Sequence, residues 1–183
     1  MNQYLAEFYR NWNVKLQSIV GDELAKVYDR YITAFVIYNN LYNEVPEMLI
    51  RQGVPLPVKL FDNKMATDLV VQYLGAQRIM DLLQQHNQLA NIDEIISLID
   101  QEVFHIKIHL GQHQRNEDLK ILADLSSNNI VKKSTGILKV MYYVRCNIFH
   151  GHKNFEEYQR LLVEPLFQII AVINGELYAT LQA

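Results

Sequence analysis

The residues best suited to chemistry lie in the stretch VRCNIFHGHKNF, positions 144–155. Arg145, His150, His152 and Lys153 place four cationic or protonatable side chains close together there. A histidine can move a proton to or from a hydroxyl group. An arginine can hold phosphate oxygens through two parallel hydrogen bonds. This combination of residue types suits the cleavage of a phosphodiester such as RNA.

The same stretch lacks ligands for a catalytic metal ion. No acidic residue lies between Lys139 and Lys153, and Mg²⁺ requires oxygen ligands that are commonly carboxylates. We therefore expect chemistry without a metal or another cofactor. His105, His109 and His113 would line one face of a continuous helix and could bind a metal there. Because no Glu or Cys completes a known signature, exposed or hydrogen-bonded histidines are the favoured interpretation.

The spacing of Arg145 and His150 needs an explanation. Five residues correspond to about 140° of rotation on an ideal helix, so the two side chains would not share a face. Two arrangements could bring them together. The helix may end at His150, with Gly151 in the left-handed conformation. Alternatively, two copies of the motif may meet across a dimer axis and pool their side chains.

Length and composition indicate one domain, residues 1–183, with enough apolar residues for a core. The net charge of −3 and the pI of about 6.1 exclude a protein that coats nucleic acid through overall positive charge. Any contact with RNA must come from a local patch. The single cysteine, Cys146, allows no intrachain disulfide and favours a cytoplasmic location. No signal peptide or membrane span is expected.

Apolar residues recur with helical spacing along almost the whole chain. This predicts an all-α fold, a bundle of about five to seven antiparallel helices. The pair Val45-Pro46 is expected to interrupt a long second helix. Ile106, Ile108 and Leu110 alternate with polar residues as in a strand, but without an evident partner strand we predict a helix there.

Short polar residues mark the expected helix starts. Asp22 is the predicted cap of the second helix, and Asn91, Asn116 and Asn154 are the predicted caps of later ones. Pro165 lies within the last helix and predicts a kink.

The motif segment also carries a family resemblance. RCNIFHGHK, positions 145–153, resembles the R-x(4–6)-H motif of the HEPN superfamily, in the variant R-x-N-x-F-H-G-x-K. AFVIYNNLY, positions 34–42, is similar to an aromatic-Asn-x-x-Tyr segment on an early helix of such proteins. The resemblance implies a helical bundle, a homodimer formed through the motif helices, and metal-independent cleavage of RNA. It also implies a toxin or phage-defence role, with an antitoxin or regulatory protein as a possible partner.

Individual roles follow from the resemblance. Arg145 would bind and polarise phosphate, His150 would be the general acid and base, and Asn147 would orient the site. The candidate substrate contacts are His152, Lys153, Asn39 and Tyr42.

This chain departs from the family pattern at two positions. Cys146 stands where members often have a polar residue, and His152 stands where some toxins have a modified Tyr. The alternative function is a non-catalytic HEPN module that binds a nucleotide, RNA or a partner protein. In the plainest alternative, Arg145 and His150 only complement the helix dipole.

Overall fold

Helices make up 76% of the computed structural model, which describes residues 3–151 and 155–183. The prediction of an all-α bundle is confirmed, with eight continuous helical stretches in the described residues. The elements are α1 (Gln3–Ser18), α2 (Leu24–Arg51), α3 (Asp62–Lys64), a π-helical turn (Met65–Leu69), α4 (Val70–Leu74), α5 (Ala76–Gln85), α6 (Leu89–Asp100), β1 (Ile108–His109), β2 (Gln112–His113), α7 (Arg115–Leu125), α8 (Ile130–Phe149), a 3₁₀ turn (Glu157–Gln159) and α9 (Arg160–Gln182).

Helices α2 and α9 form the centre of the bundle, and they run parallel. Asp22 accepts a hydrogen bond from Arg160 at one end of the pair, and Asn174 donates to the Ala34 carbonyl at 2.8 Å near the middle. At the other end the last turns of both helices line one cleft. The aromatic residues that recur along α2 lie in this core. The fully buried rings among them are Tyr31, Phe35, Tyr38 and Tyr42.

The remaining helices cover this pair. Helix α1 lies antiparallel to α2, with the Tyr9 ring stacked on Tyr178 of α9 at 3.7 Å. Helices α7 and α8 form a hairpin in which Lys139 pairs with Asp124 at 2.9 Å. Gly136 allows their close approach, since a Cβ there would lie 3.2 Å from the Asp124 Cβ. This packing fixes the position of α8, which carries the motif.

The end of α8 has the form that the first of the two arrangements requires, but it does not bring Arg145 and His150 to one cavity. The helix ends at Phe149, and the His150 amide donates to the Cys146 carbonyl at 2.9 Å. Gly151 has a φ of +66°, a left-handed conformation that glycine adopts without steric cost. The predicted helix end is therefore confirmed.

The prediction of a helix through HIKIHLG is wrong. This segment begins a two-stranded hairpin, in which Ile108 pairs with His113 and His109 with Gln112. The turn residues Leu110 and Gly111 both have positive φ, as a type I′ hairpin turn requires. The partner strand is local, only two residues further along the chain, so the alternating pattern was the correct indicator.

The expected helix interruption at Pro46 is also wrong. Helix α2 continues through it to Arg51. Val45 and Leu49 are buried on either side, so core packing offsets the backbone hydrogen bond that proline removes.

The predicted helix caps at Asp22, Asn91 and Asn116 are wrong. Helix α2 is preceded by Glu23 instead of Asp22, while Asn91 and Asn116 lie inside helices that begin at Leu89 and Arg115. Asn154 lies outside the described residues. Pro165 lies within α9 as expected.

One helical stretch is long and apolar enough, by composition alone, to cross a membrane. It is Glu157–Gln182, with a mean hydropathy of 1.4, and half of its most apolar window is buried in the bundle. A core helix satisfies the same criteria, which makes this weak evidence for a membrane span.

Candidate functional site at the end of helix α8

Arg145 lies in a cavity of about 350 Å³ between α1, α2 and α8. Its guanidinium carbon is 5.2 Å from the centre of the Phe35 ring and 4.7 Å from that of Phe149. Both distances allow a cation–π interaction. Two aromatic rings therefore hold the guanidinium in place. The cavity is lined by Phe8, Ile32, Phe35, Val36, Asn39, Asn40, Arg145 and Phe149.

The hydrogen-bonding capacity of Arg145 is mostly unused. Its Nε is buried without an acceptor, and one terminal nitrogen lies 3.9 Å from the Cys146 sulfur. None of the ion pairs among residues 3–151 and 155–183 includes Arg145. A buried donor without a partner is costly. The guanidinium therefore has hydrogen-bond donors left for an acceptor at this cavity.

His150 lines a second cavity, of about 410 Å³. Because Arg145 is absent from its lining, the two motif residues face different cavities of one chain, as the helical rotation between them predicts. The lining residues are Phe61, Asp62, Asn63, Lys107, Ile108, Tyr142, Tyr143, Cys146, Asn147 and His150. Two further cationic or protonatable groups, Lys107 and His150, thus share this cavity.

Asp62 organises the polar wall of the His150 cavity. The Tyr42 hydroxyl lies 2.7 Å from one carboxylate oxygen, and the Tyr142 hydroxyl lies 2.9 Å from the other. Burial raises the pKa of Tyr42 well above its usual value, with the Asp62 hydrogen bond adding to it. Burial is also the main cause that raises the pKa of Tyr142, and the neighbouring Cys146 and Asp62 raise it further. Both tyrosines therefore remain protonated hydrogen-bond donors at neutral pH.

Tyr42 also connects the two cavities. Its hydroxyl lies 2.5 Å from the Asn39 side-chain oxygen, and Asn39 lines the Arg145 cavity. A continuous polar path therefore runs from Asn39 through Tyr42 to Asp62. Asn39 and Tyr42 were both predicted as substrate contacts. The structure places Asn39 at a cavity wall, whereas Tyr42 is fully buried and supports Asp62 from behind.

Asn147 holds the β-hairpin against α8. It is buried, and its amide donates to the Ile106 carbonyl at 2.9 Å. Lys107 directly follows Ile106 in the chain. Its backbone N–H donates to the Asp118 carboxylate at 2.6 Å, and its ammonium lies 3.8 Å from the centre of the Tyr143 ring. The expected orienting role of Asn147 therefore has a physical basis, because Asn147 fixes the segment that brings Lys107 to the cavity.

Two predicted site residues, His152 and Lys153, lie outside the described residues. Sequence reasoning missed Asp62, Tyr142 and Lys107. Asp62 and Lys107 are 83 and 38 positions before Arg145 in the chain, so no local pattern connects them with the motif. Tyr142 lies one helical turn before the motif on α8, and that spacing could have drawn attention to it.

The histidine series 105, 109 and 113 does not line a helix face. His105 and His113 instead stack across the hairpin region with ring centres 3.8 Å apart. Among the residues that the structure describes, no group of three His, Cys, Asp or Glu side chains is placed to hold a metal ion.

Comparisons with known proteins returned no match to this chain among family models, curated proteins or solved structures. The class of the fold, an all-α bundle, is defined by the helices themselves. Membership of the HEPN superfamily stays a prediction that rests on the motif.

Proposed function

We propose that this chain is a metal-independent endoribonuclease of HEPN type that acts as a homodimer. The observation that carries the proposal is the state of Arg145. Its guanidinium is held between two aromatic rings, without a carboxylate partner in the described part of the chain, at the edge of the motif helix. Such a group is suited to binding phosphate oxygens as negative charge develops on them.

Dimerisation is part of the proposal because Arg145 and His150 line different cavities of one chain. A second copy meeting the first along α8 would bring the Arg145 of one copy towards the His150 of the other. The 56% exposed ring of Phe149 lies on the same helix end and would be covered by such a contact. The proposed active site therefore contains residues from both copies.

The proposed reaction is transfer of the phosphate within the RNA. The ribose 2′-oxygen attacks the adjacent phosphorus as one histidine takes its proton, and the bond from phosphorus to the 5′-oxygen breaks as that oxygen receives a proton. The products are a 2′,3′-cyclic phosphate end and a 5′-hydroxyl end. In each site one His150 takes the proton from the 2′-oxygen as the base and delivers it to the departing 5′-oxygen as the acid, and Arg145 of the other copy stabilises the charge on the phosphate oxygens.

The test is incubation of the purified protein with mixed RNA in EDTA, with the products analysed for cyclic phosphate ends. We expect cleavage by the natural protein and loss of cleavage in Arg145→Ala. Arg51→Ala is the matched control, because Arg51 is an exposed arginine in the last turn of another helix. Expression of the natural protein should also slow cell growth, and Arg145→Ala should relieve this effect.

Absence of cleavage from a folded dimer would contradict the proposal. The second candidate function is then a non-catalytic HEPN module that binds a nucleotide, RNA or a partner protein. The separation of Arg145 and His150 in the single chain favours this alternative. Binding to phosphate would weaken as salt concentration rises.

A further inference from the structure

The His150 cavity has the lining of a site for a planar, polar molecule. Its volume of about 410 Å³ lies within the range of roughly 300–1,000 Å³ that is typical of small-molecule sites. The Tyr142 and Tyr143 rings meet at 76°, with centres 5.5 Å apart, and form an aromatic corner. Phe61 is 58% exposed at the same cavity, so its ring is available for stacking. Aromatic rings of this kind bind unstacked bases of single-stranded RNA.

Asp62 gives this cavity a chemical preference. An ionised carboxylate only accepts hydrogen bonds, and its two oxygens offer about four acceptor positions. The Tyr42 and Tyr142 hydroxyls occupy one position on each oxygen. Because Asp62 is exposed at the cavity, one position on each oxygen remains for a ligand. The two tyrosine contacts also hold the carboxylate in one orientation.

We infer that the His150 cavity binds a guanine base, with Asp62 accepting its N1–H and its 2-amino group and Phe61 stacking on its plane. Guanine is the RNA base whose Watson–Crick edge presents two adjacent donors, which match the two adjacent acceptors of a carboxylate. Adenine, cytosine and uracil each present one donor beside acceptors, and those acceptors would face a negative charge.

This inference rests on the proposed ribonuclease function for its consequence, which is a preferred cleavage position. His150 and Lys107 line the same cavity as Asp62. A guanine bound by Asp62 therefore brings its own phosphate next to the proposed acid and base, while Lys107 adds a positive charge for phosphate. Cleavage should occur next to guanine.

The binding test uses mononucleotides and does not require cleavage. Guanosine monophosphate and inosine monophosphate are titrated by calorimetry into the full chain, because inosine lacks only the 2-amino group. We expect the guanosine nucleotide to bind about 10- to 100-fold more tightly than the nucleotides of inosine, adenosine, cytidine and uridine. Equal affinities, or no binding of guanosine monophosphate, would overturn the inference.

Variants then assign the preference to Asp62. Asp62→Asn keeps an oxygen for the tyrosine hydroxyls but replaces one acceptor with a donor, so the guanosine preference should disappear. Asp68→Asn is the matched control, since Asp68 lies on the same helical stretch and pairs with Lys64 at 2.5 Å outside the cavity. This control should keep the full preference. Circular dichroism and thermal unfolding establish that both variants are folded.

The cleavage test separates this inference from the proposed function. RNA of random sequence is cleaved in EDTA, and the new ends are sequenced. Enrichment of guanine at the ends, lost in Asp62→Asn, supports both. Cleavage without base preference overturns the guanine site and leaves the ribonuclease in place. Guanosine binding that depends on Asp62, from a protein that does not cleave, overturns the ribonuclease and leaves the guanine site.

Discussion

Arg145 on helix α8 and His150, which directly follows this helix, line two different cavities. The Tyr42 hydroxyl links the walls of the two cavities through its contacts with Asn39 and Asp62. One chain therefore presents the proposed anion-binding group on one side of the helix and the proposed proton-transfer group on the other. A site that uses both groups on one phosphate requires a second copy of the chain. Variants of Arg145 and His150, alone and in mixed dimers, test this requirement.

Removal of the proposed acid and base is the first prediction. His150→Ala should lower the cleavage rate by about 100- to 10,000-fold, the usual contribution of a general acid or base. His86→Ala is the matched control, because His86 is exposed and also directly follows the last residue of a helix. Single-turnover rates of both variants are measured with one RNA substrate. Equal rates for the two variants would remove His150 from the mechanism.

Mixing two inactive variants is the second prediction. In a dimer of Arg145→Ala with His150→Ala, one of the two sites keeps both natural side chains if the site spans the two copies. Random exchange makes half of the dimers mixed, so activity should return to about a quarter of the natural level. The measurement is cleavage after the two proteins are mixed and allowed to exchange subunits. If the mixture is as inactive as its components, the two residues act within one chain.

Loss of the contact between Asn147 and Ile106 is the third prediction. Asn147→Leu keeps the number and branching of the side-chain heavy atoms but leaves the Ile106 carbonyl unsatisfied, which should lower the free energy of unfolding by about 1–3 kcal/mol. It should also reduce cleavage, because Lys107 is no longer fixed at the cavity. Urea unfolding and cleavage rates are measured on the same preparation.

Asn174→Leu is the control for this variant, since Asn174 is a buried amide that also donates to a backbone carbonyl but lines neither cavity. It should lower stability while cleavage by the folded protein stays at the natural rate. An equal loss of cleavage in both variants would make the effect of Asn147 one of stability alone.

The fourth prediction concerns alkaline pH. Burial is the main cause that raises the pKa of Tyr28 to about 12, and it raises the pKa of Tyr31, Tyr38, Tyr42 and Tyr142 above their usual value of 10. Above pH 10 the unfolded chain loses these protons while the folded chain keeps them. The contribution of these tyrosines to the free energy of unfolding should therefore be constant below about pH 10 and fall as the pH rises from 10 through 12.

Ultraviolet absorption of tyrosinate and circular dichroism, recorded in one titration, measure this effect. The buried set should ionise only as the helical signal disappears. Ionisation of all eleven tyrosines near pH 10 with the helices intact would contradict the burial of this set.

The helices and the end of α8 could be predicted because their determinants are local. Apolar spacing defines the helices, and Gly151 lies two residues after Phe149, the last residue of α8. The hairpin was not predicted because the second strand, which begins only two residues after the first, was not recognised as its partner. The continuation of α2 through Pro46 depends on burial of its neighbours, which a local preference of proline does not include.

The motif residues of the candidate site could also be found from their types and spacing. Asp62 could not be found in this way. The path of the chain after α2 brings it to the site, and no pattern around the motif indicates that path. Nor does the sequence indicate that Arg145 would lie between two rings. That arrangement depends on α2 bringing Phe35 to the motif helix.

The parallel pairing of α2 and α9 has a consequence for how the chain acquires its structure. Asp22 and Arg160, whose side chains meet at 3.0 Å, are 138 positions apart in the sequence, and Ala34 and Asn174 are 140 apart. Contacts of such long sequence separation slow folding, because a large loop must close before they form. During synthesis on a ribosome, the side of α2 that packs on α9 has no partner until α9 has emerged, whereas the side that packs on α1 has its partner early. The nascent chain therefore exposes part of the apolar surface of α2 for most of its translation.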